Sequence, residues 1–565
     1  MKLKNIGTVL VLSVAGLTLN SCLDFDVTGA EFNQTTQNEK KVVRQGKVDS
    51  LNYRVSITQE QYEALYGKVK TNLATALGGV YAIRGGKEGA PPVPHQYQYL
   101  STFYQDAFAQ YGVIPHVNYP YSGINIVSSS AIDLKAYGGA YGSYQTATKA
   151  LVPLLNMEEI DSLPELKATY LLFLDFASIE CADNYGPMPY QDLKTNKQER
   201  PFTYDDVETI YSTVEANLDS IVKCYDYYQA SRPQWYKEKI QRALTDYCKC
   251  NAAVQDGGFQ SLDAFKRFAN SLKLRIAIRI RFVAPALAKQ LGEQAIQDGV
   301  ITSNEDNCTI AYTPNGQYKT SVEWGDSRAC ADLECYLAGY NDPRLAKFFK
   351  PTEEVGPRAI IGCRAAAKIG NKTTADKAYS AANINQNSKG VWLTASEMAF
   401  CRAEGVLAGW SNMGGTAQSL YEEGVRLSFE QWGAGDATSY LADNTSTEAD
   451  YVDPISEYGG NVSAVSNITI KWDNAATDDQ KLERLATQKW IAMFPNGQEG
   501  WCEIRRTGYP KVFPLAQPTD YSIQVANRIP FDIDEATNNK DNYLKAVQLL
   551  NGADDYATKM WWQRR

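Results

Sequence analysis

Histidine is nearly missing from this 565-residue chain: it occurs twice, as His95 and His116, each beside a proline. Imidazole is the commonest general base, and two isolated copies in a loop-like region do not make a catalytic set. There is no Gly-x-Ser-x-Gly, His-Glu-x-x-His or P-loop motif. These absences argue against the hydrolase, metalloprotease and nucleotide-dependent classes and leave carboxylate chemistry open. Clustered basic residues are missing too. With 56 Lys and Arg against 65 Asp and Glu, the formal charge is −9, and no basic stripe offers a footprint for nucleic acid. An acidic balance favours solubility. Beyond the N-terminus no apolar run reaches the roughly 20 residues that a spanning helix needs.

The N-terminus is different. Met1-Lys2-Leu3-Lys4 is basic, and Ile6 to Leu19 carries no charge. This is the layout of a secretory signal peptide, too short to be a comfortable membrane span. Leu19-Asn20-Ser21-Cys22 resembles a bacterial lipobox, from which only Asn20 departs. The resemblance implies cleavage before Cys22 and acylation of that residue. The competing reading is an ordinary cleaved signal peptide with a chance cysteine. Two or three acyl chains anchor firmly, at about 0.8 kcal/mol per buried methylene. Residues 1–21 are therefore expected to be the signal peptide, Cys22 the lipid anchor, and 22–56 a polar tether.

Ten further cysteines run from Cys181 to Cys502. Export permits disulfides, but the spacings do not resemble a framework. Cys181, Cys224 and Cys401 sit in helical patterns among apolar residues, where a thiol behaves as a small hydrophobe. Cys248 with Cys250, and Cys330 with Cys335, lack the histidine partners of a zinc site. Reduced, buried thiols are the expectation. Tyr (36) outnumbers Phe (18) two to one, which suits wet contact surfaces as well as cores.

Helical signals dominate. Gln59 to Tyr81 reads as a helix, whereas Gly85 to Gly142 is rich in Tyr, Gly and Pro and must be largely loop. Leu166, Tyr170, Phe173 and Ala177 recur at helical spacing up to the stop signal Asn184-Tyr185-Gly186-Pro187. A further helix is expected to start at Thr203, with Asp206 three residues on as in a capping box. Leu262 to Ile280 forms another, with Lys273, Arg275 and Arg279 interleaved; such side chains reach water or pair with acids. Ser396–Trp410 and Thr416–Gln431 form an adjacent pair around the turn Asn412-Met413-Gly414-Gly415. Small residues on the facing sides allow close approach, the physical idea of a tetratricopeptide-like hairpin, without an exact 34-residue repeat. Polar stretches near 371–390 and 436–467 read as surface insertions, and loops this long are usually functional or mobile.

Several segments, taken in order, resemble the SusD/RagB family of outer-membrane nutrient-binding lipoproteins. They are Ala182-Asp183-Asn184-Tyr185-Gly186-Pro187-Met188-Pro189-Tyr190, Ser271 to Ile280, and Asn341-Asp342-Pro343-Arg344-Leu345. Arg402-Ala403-Glu404, Tyr421 to Val425, Gln488-Lys489-Trp490-Ile491-Ala492 and Arg505-Arg506-Thr507-Gly508-Tyr509-Pro510 continue the order. Arg528-Ile529-Pro530-Phe531, Glu535 to Asn539, Tyr543 and the ending Thr558 to Trp562 complete it. As residues these read as packing and turn devices; Arg505, Arg506 and Trp490 are expected to be structural. The resemblance implies a mostly α fold of tetratricopeptide-like hairpins with a loop-rich ligand-binding face, spanning 57–565 as one large domain. It implies a non-catalytic binding protein, lipid-anchored in the outer membrane and facing the exterior; no cofactor and no catalytic metal site are expected, and a structural metal ion is left open. Its partners would be a glycan (in some members a peptide) and a TonB-dependent, SusC-like transporter, over which such proteins act as a lid. Asp24 and Asp26, close behind the anchor, fit export to the surface by the same resemblance.

A glycan platform needs flat aromatic faces with polar groups nearby. Tyr97, Tyr99, Phe103, Tyr104, Tyr111, Tyr119 and Tyr121 supply rings, and Asp106, Gln110 and Asn118 supply hydroxyl partners. Trp324 with Asp326 and Arg328 is a second candidate. About two of these rings are expected to touch ligand, because binding energy concentrates in a few anchors. Two other functions compete. One is a surface glycoside hydrolase with carboxylates about 5–9.5 Å apart; the other is a scaffold for peptide or protein.

Overall fold

The computed structural model describes residues 46–84, 94–115, 139–197, 201–247, 261–311, 314–353, 356–517 and 523–563. The signal peptide, Cys22 and most of the expected tether lie outside these residues, as do Asn118, Tyr119, Tyr121, His116, Cys248 and Cys250.

Thr58 starts the first long helix, α1 (Gln59–Ala82), through a reciprocal cap. The Gln61 amide donates to Thr58 Oγ1 at 3.2 Å, and the Thr58 amide donates to Gln61 Oε1 at 2.8 Å. Each bond satisfies an N–H that a helix start leaves over. α1 packs on α2 (Gly139–Leu155). Gly79 permits the close approach: a Cβ there would lie 2.8 Å from Ala150 Cβ and 3.0 Å from the Ala147 carbonyl.

The next pair is α3 (Pro164–Tyr185) and α4 (Val207–Ser231). α3 ends at the expected stop, with Gly186 at φ +89°. The apolar spacing predicts one buried face, yet α3 is buried on all sides. Its polar residues are therefore partnered. Glu165 accepts from Arg232 Nε at 2.6 Å and from the Tyr236 hydroxyl at 2.6 Å, and Asp183 accepts from the Tyr211 hydroxyl at 2.6 Å. α4 begins later than the sequence suggests. Asp206 is its cap, accepting from the Thr209 amide at 2.6 Å. Asp205 is tied to Met188 by two backbone hydrogen bonds of 3.0 and 3.2 Å, which hold the preceding residues extended.

After α5 (Gln234–Tyr247), two more neighbouring pairs follow. They are α6 (Leu262–Ile280) with α7 (Pro285–Asp298), and α8 (Ala395–Leu407) with α9 (Ala417–Trp432). In the last pair Gly424 lies against the Phe400 ring, 2.8 Å from where its Cβ would stand. This is the expected small-residue contact of a helical hairpin. α10 (Asp478–Met493) packs against α8 and against α11 (Gly497–Thr507). The fold is mostly helical, with sequence-adjacent hairpins sharing one large core.

Short strands tie the loop-rich side. β1 (Gly112–Val113) pairs antiparallel with β3 (Arg328–Ala329), and β2 (Cys308–Ala311) with β4 (Lys389–Leu393). The two polar stretches expected as surface insertions are mostly exposed or half-buried, but tyrosines from both point inward. Tyr379, Tyr451 and Tyr458 bury their rings in a second apolar cluster with Cys330, Cys335, Cys363 and Phe513. Their buried hydroxyls are satisfied: Tyr379 donates to Asp453 at 2.8 Å and Tyr451 to the Gly362 carbonyl at 3.0 Å. Eight cysteines among the described residues are buried free thiols. Among the described residues no helix is long and apolar enough to cross a membrane.

Candidate ligand-binding cleft

The two aromatic regions singled out in the sequence meet in space. Residues Gln98–Gln105 and Tyr318–Glu323 both form π-helical turns, an uncommon geometry that recurs at functional sites. Thr102 Oγ1 bonds Thr320 Oγ1 at 3.0 Å, and Gln98 Nε2 donates to Asp326 Oδ2 at 2.8 Å. The β1–β3 pairing closes the same junction.

Beside this junction lies a cleft of about 360 Å³. Arg84 comes from the end of α1; Tyr97, Ser101, Gln105 and Asp106 come from the first π-helical segment and its flanks. The opposite wall is Ser388 to Val391 on and before β4, with Asn383 and Ile384. Gln431 and Trp432 close it from the end of α9, and Pro495 to Gly497 from the turn into α11. Local chemistry explains the shape. Asn315 holds the loop by donating from its backbone to the Gln386 carbonyl and from its side chain to the Ser388 carbonyl, both at 2.8 Å. Gly316 lies under the Tyr97 ring, where any Cβ would come within 2.2 Å of Cγ.

The inner wall is charged but balanced. Arg84 donates to Glu180 Oε1 at 2.6 Å and to Asn496 Oδ1 at 3.2 Å. Burial pushes the carboxyls of both Glu180 and Asp106 up to about 7, against the pull of Arg84. Asp106 is the one carboxylate among the described residues that line the cleft.

The structure sorts the predicted residues. Tyr97 lines the cleft, half-buried, and Trp324 lies across the junction, its carbonyl accepting from Lys372 Nζ at 2.8 Å. Tyr104 and Tyr111 require correction, being only 1% and 2% exposed. Tyr111 donates to the Trp490 carbonyl at 2.5 Å, and its ring packs over Gly500; Tyr104 packs edge-on against Phe108. Neither ring can present a face to ligand: Tyr104 lies on the π-helical segment where it turns to the core, and Tyr111, just before β1, is buried against Trp490 and Phe494. Gln110 is buried as well. Sequence reasoning missed Arg84, Gln431 and Trp432. The last two sit at the end of the helix expected over Thr416–Gln431, where helical spacing says nothing about a cleft, and Arg84 carries no signal beyond its charge.

The residues that mark the family-like segments are core residues. Arg275 holds Glu397 through two bonds of 2.7 Å, and Arg279 holds Asp183 at 2.6 Å. Arg344 holds Asp342 at 2.6 Å, and Arg506 spans Glu404 and Glu503. Asp183, Glu499 and Cys502 come close enough to hold a cation, but the donor set does not suit one. Arg279 occupies both carboxylates, and burial raises the Cys502 thiol to about 12, so it stays protonated.

The fold recurs in known proteins. A family model described as SusD-like, SusD and RagB outer membrane lipoprotein, matches residues 52–563. The chain belongs to this SusD-like family. A chitin-binding SusD homologue from Flavobacterium johnsoniae is 31% identical, with a TM-score of 0.75 over 88% of this chain and 98% of that one. A SusD-like protein from Bacteroides thetaiotaomicron is 30% identical, with a TM-score of 0.72 over 88% and 99%. A SusD homologue from Bacteroides uniformis is 29% identical, with a TM-score of 0.71 over 87% and 99%. No curated protein matches the chain. For this SusD-like chain, the expected family and the mostly helical fold agree with the family model and the solved structures.

Proposed function

We propose that this protein is a non-catalytic glycan-binding lipoprotein, which captures oligosaccharides at the cell surface and passes them to a TonB-dependent, SusC-like transporter. The observation that carries this reading is the cleft. It joins two aromatic rings, Tyr97 and Trp432, to amide and hydroxyl groups of Asn315, Gln317, Asn383, Ser388 and Gln431. Rings cover the C–H faces of sugars while amides fix hydroxyl directions. Membership of the SusD-like outer-membrane lipoproteins and the chitin-binding relative support the same ligand class. The lipobox-like Cys22 and the polar residues after it fit a tether that lets the body swing over a transporter. A hydrolase needs two carboxylates flanking one bond, and Asp106 alone among the described lining residues does not provide them.

The decisive experiment is calorimetric titration of the unlipidated mature chain with a panel of oligosaccharides that includes chitin oligomers. Saturable binding without product formation, weakened at least tenfold by Tyr97→Ala, is the expected result. Binding of peptides but no glycan, or turnover of the oligosaccharide, would replace the reading. Cys22→Ala should release the full-length protein from membranes; continued attachment would reject the anchor.

A further inference from the structure

Tyr97 lines the cleft half-buried, and the structure holds it at two points. Gly316 is packed against its near end: a Cβ at Gly316 would lie 2.2 Å from Tyr97 Cγ and 2.5 Å from Cδ2. At the far end the Tyr97 hydroxyl donates to the carboxylate of Asp106. Asp106 is itself fixed. Its backbone carbonyl accepts from the Tyr111 amide at 2.9 Å, and a Cβ at Gly497 would lie 2.3 Å from its Oδ1. Although Asp106 lines the cleft, it is only 5% exposed.

We propose that Asp106 is a positioning residue for sugar capture: with Gly316 against the ring, it keeps Tyr97 in place through the phenolic hydroxyl before a glycan arrives. This rests on the glycan-binding reading above. A free side chain loses rotamer freedom when a ligand orders it, and a side chain already held does not. The hydroxyl thus contributes to affinity without touching sugar. The charges around Asp106 set when this hold is strong. Burial pushes its carboxyl up to about 7, against the pull of Arg84 and of the Tyr97 hydrogen bond. Glu180 of α3 pairs with Arg84 at 2.6 Å, and Glu499 of α11 also interacts with Arg84. Tyr111 faces Asp106 with a phenol that burial keeps protonated. A hydroxyl bonds an ionised carboxylate more strongly than a neutral acid, so the ring is held more firmly above about pH 7 than below it.

The first test needs no ligand. 3-Fluorotyrosine is incorporated at Tyr97 alone, and its fluorine resonance is followed from pH 5 to pH 9. The line should move near pH 7 in the otherwise wild-type protein and lose that movement in Asp106→Asn. The same pH course in both would overturn the proposal. The second test is a double-mutant cycle by calorimetry on the unlipidated mature chain. Its probes are hexasaccharides of β-1,4-glucose, α-1,4-glucose and β-1,4-N-acetylglucosamine, read on whichever binds. Tyr97→Phe and Asp106→Ala should each weaken binding roughly three- to tenfold, the scale of one side chain left to be ordered, and the double variant should lose no more than either. Wild-type affinity should fall from pH 9 to pH 5, while that of Asp106→Asn stays level. Additive losses would overturn the proposal by showing that the hydroxyl meets the sugar itself, and so would full affinity in Tyr97→Phe. Binding of none of the three, nor of any glycan in the wider panel, would reject the glycan reading, and the fluorine line would still decide whether Asp106 holds the ring.

Discussion

Arg506 and Glu404 meet end to end in the core: Nη1 lies 2.6 Å from Oε1 and Nη2 lies 2.7 Å from Oε2, with both side chains fully buried. The pair joins α11 to α8 across 102 positions of sequence. Arg506 also donates to Glu503 at 2.7 Å, and Glu503 accepts from Lys489 at 2.9 Å. The surrounding cations hold the Glu404 carboxyl well below the ordinary carboxylate range. Removing one partner strands the other charge in a dry interior. Glu404→Ala should therefore destabilise the protein by about 3–5 kcal/mol, read as a lower urea midpoint with an unchanged slope. A loss below 1 kcal/mol would mean that water reaches Arg506.

Tyr111 separates packing from recognition. Its hydroxyl bonds the Trp490 carbonyl while the Trp490 indole donates to the Ala109 carbonyl at 2.8 Å. Tyr111→Ala removes a fully buried ring and should cost about 3–5 kcal/mol of stability. Tyr104→Phe keeps its ring and should leave glycan affinity unchanged, since the side chain is 1% exposed. A Tyr104→Phe variant that stayed folded and lost glycan binding would return this ring to the site.

These two tyrosines show where sequence reasoning reached its limit. The helices were legible because their signals are local: the Thr58 cap, the Gly186-Pro187 stop, and the small Gly424 facing Phe400. The structural role of Arg505, Arg506 and Trp490 was legible because charged residues at helix ends often pair locally. Their partners were not, since Glu404 lies 102 residues before Arg506. The cleft was half legible. A Tyr-rich segment announces rings without saying which point outward, because a π-helical turn sets directions that ordinary helical spacing does not describe. Arg84 and Trp432 reach the cleft only through tertiary packing.

Glu215 predicts a pH effect of definite sign. It is buried on α4 near Asp219, and burial followed by that neighbouring charge raises its carboxyl to about 8; Lys273 opposes the shift. The folded protein then keeps a proton that the unfolded chain releases near the ordinary glutamate value of about 4.3. This contribution is fully present below that value, falls as pH rises towards about 8, and is flat above it. Glu215→Gln stays neutral throughout. Relative to wild type, its melting temperature should be similar at pH 5 and higher at pH 9, with other titrations cancelling in the comparison. Parallel melting curves across that range would show that Glu215 is ionised in the folded protein.

Gly497 couples the stability of the core to the shape of the cleft. A Cβ at this position would lie 2.3 Å from Asp106 Oδ1 and 2.7 Å from the Asp106 backbone N and Cα. Backbone atoms cannot swing aside as a long side chain can, so the turn Pro495–Gly497 and the first π-helical segment would have to separate. Both line the cleft, and α11 behind Gly497 carries Glu499, which pairs with Arg275 and Arg279. Gly497→Ala should cost about 1–3 kcal/mol, the scale of overpacking a filled interior, and should weaken glycan binding at the same time. Gly78 supplies the control. It lies inside α1 with nothing within 4 Å of its would-be Cβ, so Gly78→Ala should stabilise the protein by about 0.5–1 kcal/mol through helix propensity and leave binding unchanged. Opposite signs for the two substitutions in thermal melts would establish that contact with Asp106, and not loss of glycine itself, sets the cost. Matching signs would remove the close approach of Gly497 to Asp106 as a constraint on the cleft.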